Sequence, residues 1–332
     1  MQECWVHIII KIALVNNPLV SIIIPTYNRE HLIVETLNAI LAQTYTHWEC
    51  IIVDDGSTDA SEILIKKYCD SDSRISLYQR PKERPKGANA CRNYGLEKSK
   101  GSLINWFDSD DYMLPTFLEE KVSVILKGSY DFVMATSVDW DGDKKETSIY
   151  EVSNEGKDLN AFNFITQNIN CITNDFMATR SSIAGLRFNE LLKSGQEYNF
   201  ISRYLFTTTH GVFMDKVLSK RRVHPESIQS NVSKIITSDQ NSYHKRTVEN
   251  KFLLLQDITT IGDYESKLYL VNSIISFSYL LAQRKQDIPF FSEIVKHIKI
   301  IKSPKAARYY YAAVKGVRYT GKGYQLYKKA LT

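Results

Sequence analysis

The stretch VSIIIPTYNREHLIVETLNAILAQTYTHWECIIVDDGSTDAS, residues 20–61, sets two short β-branched runs around one segment of helical spacing. LVSIIIP (19–25) and WECIIVDD (48–55) are apolar through their middles, as strands buried in a sheet are. REHLIVETLNAILAQT (29–44) instead returns its apolar residues to one helical face. Strand, helix and strand in that order form the unit of a parallel sheet, whose crossover helices lie on its faces.

The alternation continues downstream. RISLYQ (74–79), SLINWFD (102–108) and YDFVMATSV (130–138) read as strands, while DASEILIKKYCD (59–70), ANACRNYGLEKSK (88–100) and PTFLEEKVSVILKG (115–128) read as helices. Boundary residues agree: Ser57-Thr58-Asp59 suits a cap for the second helix, Pro115 the first turn of the fourth, and Gly101 and Gly128 the ends of the third and fourth. The expected fold is α/β, with a mainly parallel sheet flanked by helices. From about 139 to 230 the pattern is irregular, WDGDKKETSIYEVSNEG reading as a polar hairpin or loop, and beyond about 235 it becomes helical with apolar faces. The expected organisation is an N-terminal extension (1–18), a core domain (19–232) made of parts 19–138 and 139–232, and a helical, basic C-terminal extension (233–332).

With 332 residues, 43% hydrophobic and 24% charged, the composition is that of a soluble globular protein. The run WVHIIIKIAL falls short of the roughly 18 apolar residues of a membrane span and is broken by His7 and Lys11; without a basic start or small-residue cleavage site it does not read as a signal peptide either. Five scattered cysteines without a CxxC pair suit reduced thiols and a cytoplasmic setting. Asn231-Val232-Ser233 then reads as a chance sequon. The net charge of +5 is uneven: ten of the 42 basic residues lie between Lys296 and Lys329 with no acid among them, which leaves 32 basic against 37 acidic residues elsewhere.

Ligands of open α/β sheets collect beyond the carboxyl ends of the strands. Asp54-Asp55 closes one strand there and Asp108-Ser109-Asp110-Asp111 another, so the two acidic groups share an edge. Asp108 and Asp110, two apart, project to one side in extended backbone, and Mg²⁺ or Mn²⁺ with oxygen ligands would relieve their repulsion and present a diphosphate with open positions. Taken alone, the same residues also read as a solvated turn before the helix at Pro115.

The wider series decides between these readings. Residues 20–61, GANACRNYGLEKSKGSLINWFDSDDYMLP (87–115), GQEYN (195–199) and RRVHPESIQSN (221–231) together resemble the family 2 glycosyltransferases with a GT-A fold, strongly over 19–138, more weakly to about 231, and not over the last hundred residues. The resemblance implies a nucleotide pocket lined by Pro25, Thr26 and Tyr27, with Tyr27 against the base, where an aromatic face can stack. Asp55 is implied to accept a hydrogen bond from the base while Asp54 supports the loop. Asn89 lies at the start of the third helix with Arg92, which is implied to approach the diphosphate. Asp108, Ser109, Asp110 and Asp111 form the DxD-type group, with Asp110 the surest metal or diphosphate contact. Glu197 stands where the family places its base, here preceded by Gln196 in place of an acid. His224 matches a histidine that reaches the metal or diphosphate, with Arg221 and Arg222 beside it.

The reaction implied is inverting transfer of a sugar from a nucleotide-sugar, expected to be a UDP-sugar with Mn²⁺ or Mg²⁺, to a hydroxyl of a glycan or lipid-linked glycan in polysaccharide biosynthesis. A non-catalytic nucleotide-sugar binding protein and a metal-dependent nucleotidyltransferase are the alternatives, although PTYNRE lacks the glycine-rich loop expected of the latter. The body is acidic and without a nucleic-acid motif, so no nucleic-acid partner is expected. Residues 296–329 mix their positive charge with tyrosines, which suits peripheral contact with an anionic membrane on its inner face; a helix pair packed on the core or an oligomer contact would use the same residues.

Overall fold

The computed structural model describes residues 17–141, 146–150, 153–223 and 239–332. The N-terminal apolar run and the sequon at 231–233 lie outside the described residues. The chain begins with β/α units: β1 (Val20–Thr26), α1 (Ile33–Leu41), β2 (Trp48–Asp54), α2 (Ser61–Ser71), β3 (Ile75–Gln79), α3 (Ala88–Lys98) and β4 (Leu103–Trp106). After these come β5 (Tyr112–Met113), α4 (Phe117–Gly128), β6 (Phe132–Trp140), β7 (Glu146–Ser148), α5 (Ala161–Ile165), a 3₁₀ turn (Thr173–Asp175), β8 (Phe176–Thr179), α6 (Arg180–Ile183), α7 (Gln196–Tyr204) and β9 (Gly211–Arg222). Five helices finish the chain: α8 (Gln240–Asp257), α9 (Tyr264–Gln283), α10 (Phe291–Ile301), α11 (Pro304–Thr320) and α12 (Tyr324–Leu331).

One sheet holds all nine strands in the order β3-β2-β1-β4-β8-β6-β9-β5, with β7 paired to β6. The expected parallel pairing holds for β3, β2, β1 and β4. Beyond β4 the sheet is mixed: β8 runs antiparallel to both β4 and β6, β9 parallel to β6, and β5 antiparallel to β9. The physical cause is that β8, delivered by the 3₁₀ turn, inserts between β4 and β6, which are therefore not neighbours. β1 is buried along its whole length, which explains its unbroken β-branched run. Its pairing with β4 ends at Ile23 while its pairing with β2 continues to Thr26. Pro25, which has no N–H to donate, therefore sits where β1 and β4 have stopped pairing, at the carboxyl edge.

α1 starts four residues later than its apolar spacing predicts, for a local reason. Asn28 takes the left-handed conformation, with φ of 50°, and its Oδ1 accepts from the Thr58 N–H at 2.8 Å. Arg29 N–H donates to Ser61 Oγ at 2.7 Å, Glu30 N–H to Asp59 Oδ2 at 3.1 Å, and Ala60 N–H to Glu30 Oε2 at 2.7 Å. Side chains from the 57–61 loop thus satisfy the backbone donors of Arg29 and Glu30 ahead of the helix and hold this segment in a loop conformation. Asp59 also accepts from Ser61 N–H at 3.0 Å, so the capping signal read at 57–59 serves two loops. Pro115 precedes α4, whose first residue is Phe117, and Ser129 rather than Gly128 takes the left-handed position at its end.

The described chain separates into two compact units. The first contains residues up to Leu159, Gln167–Phe200 and Thr207–Val223; the second contains Asn160–Thr166, Ile201–Phe206 and the C-terminal helices. Against the expected boundary at 232/233, which falls outside the described residues, α5 and the end of α7 group with the C-terminal helices. In the second unit Asp239, Asp263 and Ser303 cap α8, α9 and α11 through their side chains, and Tyr279 of α9 stacks on Tyr327 of α12 at 4.4 Å. No helix among the described residues is long and apolar enough to cross a membrane. The four described cysteines, Cys50, Cys69, Cys91 and Cys171, form no disulfide.

Gly95 of α3 faces β1 so closely that an added Cβ would collide with the Ile23 side chain and lie 3.4 Å from Val53 Cγ2. Gly95→Ala should therefore destabilise the protein by about 1–3 kcal/mol despite the better helix propensity of alanine. The check is a lowered urea midpoint at unchanged m-value.

Candidate active site

Three loops meet at the carboxyl edge of β1, β2 and β4. After β1, Pro25 and Thr26 are buried, and the Thr26 hydroxyl has no hydrogen-bond partner among the described residues. Tyr27 is 39% exposed, with the Lys86 ammonium 3.8 Å from its ring centroid. A cation over the face that would receive a base is a cation–π contact any incoming ring must share or displace. After β2, Asp54 accepts from the Gly56 and Ser57 N–H groups at 3.0 and 2.9 Å and from the Ser57 hydroxyl, so it holds the loop. Asp55, also buried, uses Oδ1 in an ion pair with Arg80 Nε.

After β4, the four acidic-loop residues have distinct surroundings. Asp108 is 38% exposed at its side chain and accepts from Arg92 Nη2 at 2.7 Å. Ser109 is buried, and its carbonyl accepts from the Thr36 hydroxyl at 3.2 Å. Asp110 accepts from Arg29 Nε at 3.2 Å, and its carbonyl from Arg222 Nε at 3.2 Å. Asp111 is buried; Oδ1 accepts from Arg222 N–H at 2.9 Å and Oδ2 from Asn174 Nδ2 at 2.5 Å. Burial, then the charges of Asp110 and Asp108, push its pKa well above the usual carboxylate range, while the two hydrogen bonds pull it down. Both Asp111 oxygens serve the protein itself, leaving Asp108 and Asp110 as the carboxylates turned to the edge.

Asn174 ties this loop to the interior. Its Oδ1 accepts from Asp108 N–H at 3.0 Å, and its carbonyl accepts from Lys121 Nζ at 2.7 Å. Lys121 is fully buried, also donates to Asn105 Oδ1 at 3.1 Å, and is pushed down to about 7 by burial. The adjoining Asp175 accepts from Ser137 Oγ and Tyr150 Oη, each at 2.5 Å, and burial raises its pKa.

Glu197 lies in the first turn of α7. Its approach is fixed by two asparagines one turn apart on α3. Asn89 Nδ2 donates to the carbonyls of Asn189 and Leu192 at 2.9 and 3.1 Å. Asn93 Nδ2 donates to Phe188 O at 2.9 Å and Glu190 Oε1 at 2.8 Å, while its Oδ1 accepts from Phe188 N–H at 2.8 Å. Phe188 stacks on Phe200 at 4.2 Å, and Trp106 of β4 meets both rings edge-on at 5.2 and 5.0 Å. Glu197 is therefore fastened on both sides to the strand that carries the acidic loop. Burial raises its pKa above 4.5; among its charged neighbours Arg92 and Arg221 lower it and Asp108 raises it. Arg92, 2% exposed, lies between these carboxylates with its Nε lacking a partner among the described residues.

The structure thus brings Pro25, Thr26, Tyr27, Asp55, Asn89, Arg92, Asp108, Ser109, Asp110, Asp111 and Glu197 into one unit, whereas His224 lies outside the described residues. Asn89 gives its Nδ2 to the 189–192 backbone and accepts from Arg92 Nη1 with its Oδ1 at 3.4 Å. Arg221 pairs with Asp139 at 2.7 Å, and Arg222 pairs with Glu35. Arg29, Asn93 and Asn174 went unread in the sequence. Arg29 directly follows PTYN and was open to notice, but Asn174 sits in the irregular region, where nothing marks it. Asp108 and Asp110 offer oxygen donors of the kind Mg²⁺ and Mn²⁺ accept when a diphosphate and water complete the shell. They fit such a cation as a partial set, since no group of three ligating side chains occurs among the described residues.

Parallel β/α units with these acidic loops on one edge define a GT-A glycosyltransferase fold. S. aureus TarS 1-349 in complex with UDP-GlcNAc superposes with a TM-score of 0.63 over 91% of this chain and 92% of that one, at 17% identity. The mannosyltransferase PcManGT from Pyrobaculum calidifontis, in complex with GDP-Man and Mn²⁺, does so with a TM-score of 0.54 over 93% and 89%, at 15% identity. At these identities the likeness is one of fold alone. The chain belongs to glycosyl transferase family 2, whose profile matches residues 21–186, half of its length. WfgD of Escherichia coli, a UDP-Glc:alpha-D-GlcNAc-diphosphoundecaprenol beta-1,3-glucosyltransferase, is 40% identical over 115 residues, 35% of this chain and 44% of that protein. The match therefore spans less than half the length of that relative.

Asn174→Ala would leave the Asp108 N–H and Asp111 Oδ2 without their partner. A loss of about 2–4 kcal/mol is expected, read as a fall in the urea midpoint.

Proposed function

We propose that the protein transfers a sugar from a UDP-sugar to a hydroxyl of a glycan or lipid-linked glycan acceptor in polysaccharide biosynthesis, inverting the anomeric centre. The observation that carries this reading is the fastening of Glu197 beside the Arg92–Asp108 pair by the α3 asparagines and the Trp106 ring cluster. A carboxylate and a permanent guanidinium charge held on one edge suit the roles of base and diphosphate contact. The named donor and acceptor of WfgD and the UDP-GlcNAc complex of TarS support a UDP-sugar and a lipid-linked acceptor.

Tyr27 lies against the base and Asp55 accepts from its ring N–H, the Arg80 pair holding that carboxylate in place. Asp108 and Asp110 would hold Mg²⁺ or Mn²⁺, which would supply positive charge against the diphosphate leaving group. Arg92 adds a fixed guanidinium against the same charge. Glu197 accepts the proton of the acceptor hydroxyl as that oxygen attacks the anomeric carbon from the face opposite the diphosphate.

The C-terminal helices add a candidate docking face. On α11, Arg308, Tyr311, Lys315 and Tyr319 follow one another at three- and four-residue steps; Tyr311 and Tyr319 are 48% and 72% exposed, and the Lys315 ammonium lies 5.7 Å from each ring. We assign this face to the headgroups of an anionic bilayer, where each basic residue contributes on the order of 1 kcal/mol. Co-sedimentation with phosphatidylserine vesicles at low salt should drop at least tenfold for the Arg308→Gln, Lys315→Gln, Lys322→Gln triple variant; failure of the wild type to bind refutes the assignment.

Glu197→Gln should lower kcat about 100-fold or more while leaving thermal stabilisation by UDP-sugar with Mn²⁺ intact. Because the base acts as a carboxylate and burial raises its pKa, wild-type kcat should fall on the acid side through a pKa above 4.5. Stabilisation by no nucleotide-sugar, with or without Mn²⁺, overturns the reading, and unimpaired transfer by the variant removes Glu197 as the base.

A further inference from the structure

Arg29 is absent from the roles above, yet its guanidinium joins two parts of the site. Nε donates to Asp110 Oδ2 at 3.2 Å, while Nη1 donates to the carbonyls of Tyr27 and Asn28 at 3.3 and 3.2 Å. The two side chains are only 22% and 16% exposed, so the pair is partly shielded from water and salt. One end of the guanidinium therefore rests on the loop implied to hold the base, and the other on the carboxylate implied to hold the cation.

We propose that Arg29 is an internal competitor of the divalent cation at Asp110, a positioning residue that neutralises this carboxylate until the metal displaces it. The inference rests on the assignment of Asp110 as a metal-holding carboxylate. A guanidinium and a divalent cation both draw on the negative charge of Asp110, and each weakens the hold of the other. The pairing also answers an electrostatic need. Asp108, Asp110 and buried Asp111 crowd one loop; Arg92 answers the first, Arg29 the second, and the third is held by Asn174 and the Arg222 backbone. When the cation takes Asp110, the two carbonyl contacts keep the guanidinium at the Tyr27–Asn28 turn. Its positive charge then stays beside the nucleotide loop, available to a phosphate oxygen, for which its fork is suited.

The side chain of Arg29 lies on a partly exposed loop and its backbone N–H bond to Ser61 is kept in any substitution, so variants are expected to fold. MnCl₂ is titrated calorimetrically into the full chain without nucleotide, for wild type, Arg29→Gln, Arg29→Lys and Asp110→Asn. Arg29→Gln should tighten Mn²⁺ binding about fivefold, the upper range for one partly exposed ion pair, with Arg29→Lys between it and wild type. Asp110→Asn should weaken it. If Arg29→Gln leaves the affinity within about 1.5-fold of wild type while Asp110→Asn weakens it, Arg29 is no competitor and the metal assignment survives. If Asp110→Asn binds Mn²⁺ as wild type does, the metal assignment falls and the competitor with it.

Discussion

Asp111 lies buried with its two oxygens committed to different parts of the chain, one to the backbone of Arg222 at the end of β9 and the other to Asn174 in the turn before β8. A carboxylate so placed is costly unless its lone pairs are met, and here each bond also fixes an element the site needs. Through Asn174 the acidic loop reaches Lys121 of α4, and through Asp175 it reaches Ser137 of β6 and Tyr150. The parallel half of the sheet and its mixed half are thereby joined under the loop that presents Asp108 and Asp110. The arrangement leaves these two carboxylates at the edge with arginines opposite them, while the third residue of the cluster is hydrogen-bonded to Asn174 and the Arg222 backbone.

The parallel half was legible because β1 and β2 are buried almost throughout and carry β-branched runs, and because carboxylates close β2 and follow β4. Asp54 as a loop support, Arg92 beside the acidic loop and Glu197 on a nearby helix were instead implied by the family resemblance. The mixed half was not legible for a physical reason: β8 is four residues long and is placed by hydrogen bonds from the 173–175 turn, not by any periodicity of its own. Whether Asp111 shares the ligand task or holds the loop stayed open in the sequence, since nothing in DSDD distinguishes an acid facing the edge from one facing Asn174. Asn89, expected in the ligand pocket from its position at the start of α3, gives its Nδ2 to the 189–192 backbone and its Oδ1 to Arg92 Nη1 at 3.4 Å, so it braces the guanidinium beside the acidic loop.

The site is assembled by a single helix to an unusual degree. α3 presents Arg92 to the acidic loop, and Asn89 and Asn93 to the segment that leads to Glu197, while Gly95 seats the helix on β1. Since all four residues lie within two turns, any tilt of α3 moves Arg92 and the segment that leads to Glu197 together. Relative placement of the two is thus protected against small shifts of the helix against the sheet.

The side-chain bonds that stitch residues 28–30 to residues 57–61 carry a consequence for how this chain can change over generations. The turn after β1 and the turn after β2 are far apart in sequence but share donors and acceptors in both directions, Asn28 with Thr58, Arg29 with Ser61, Glu30 with Asp59 and Ala60. A turn lacking these side chains breaks bonds made by the other turn, so the two should change as one block, and a crossover inside α1 or β2 should be harmful where it separates residues that pair in this way.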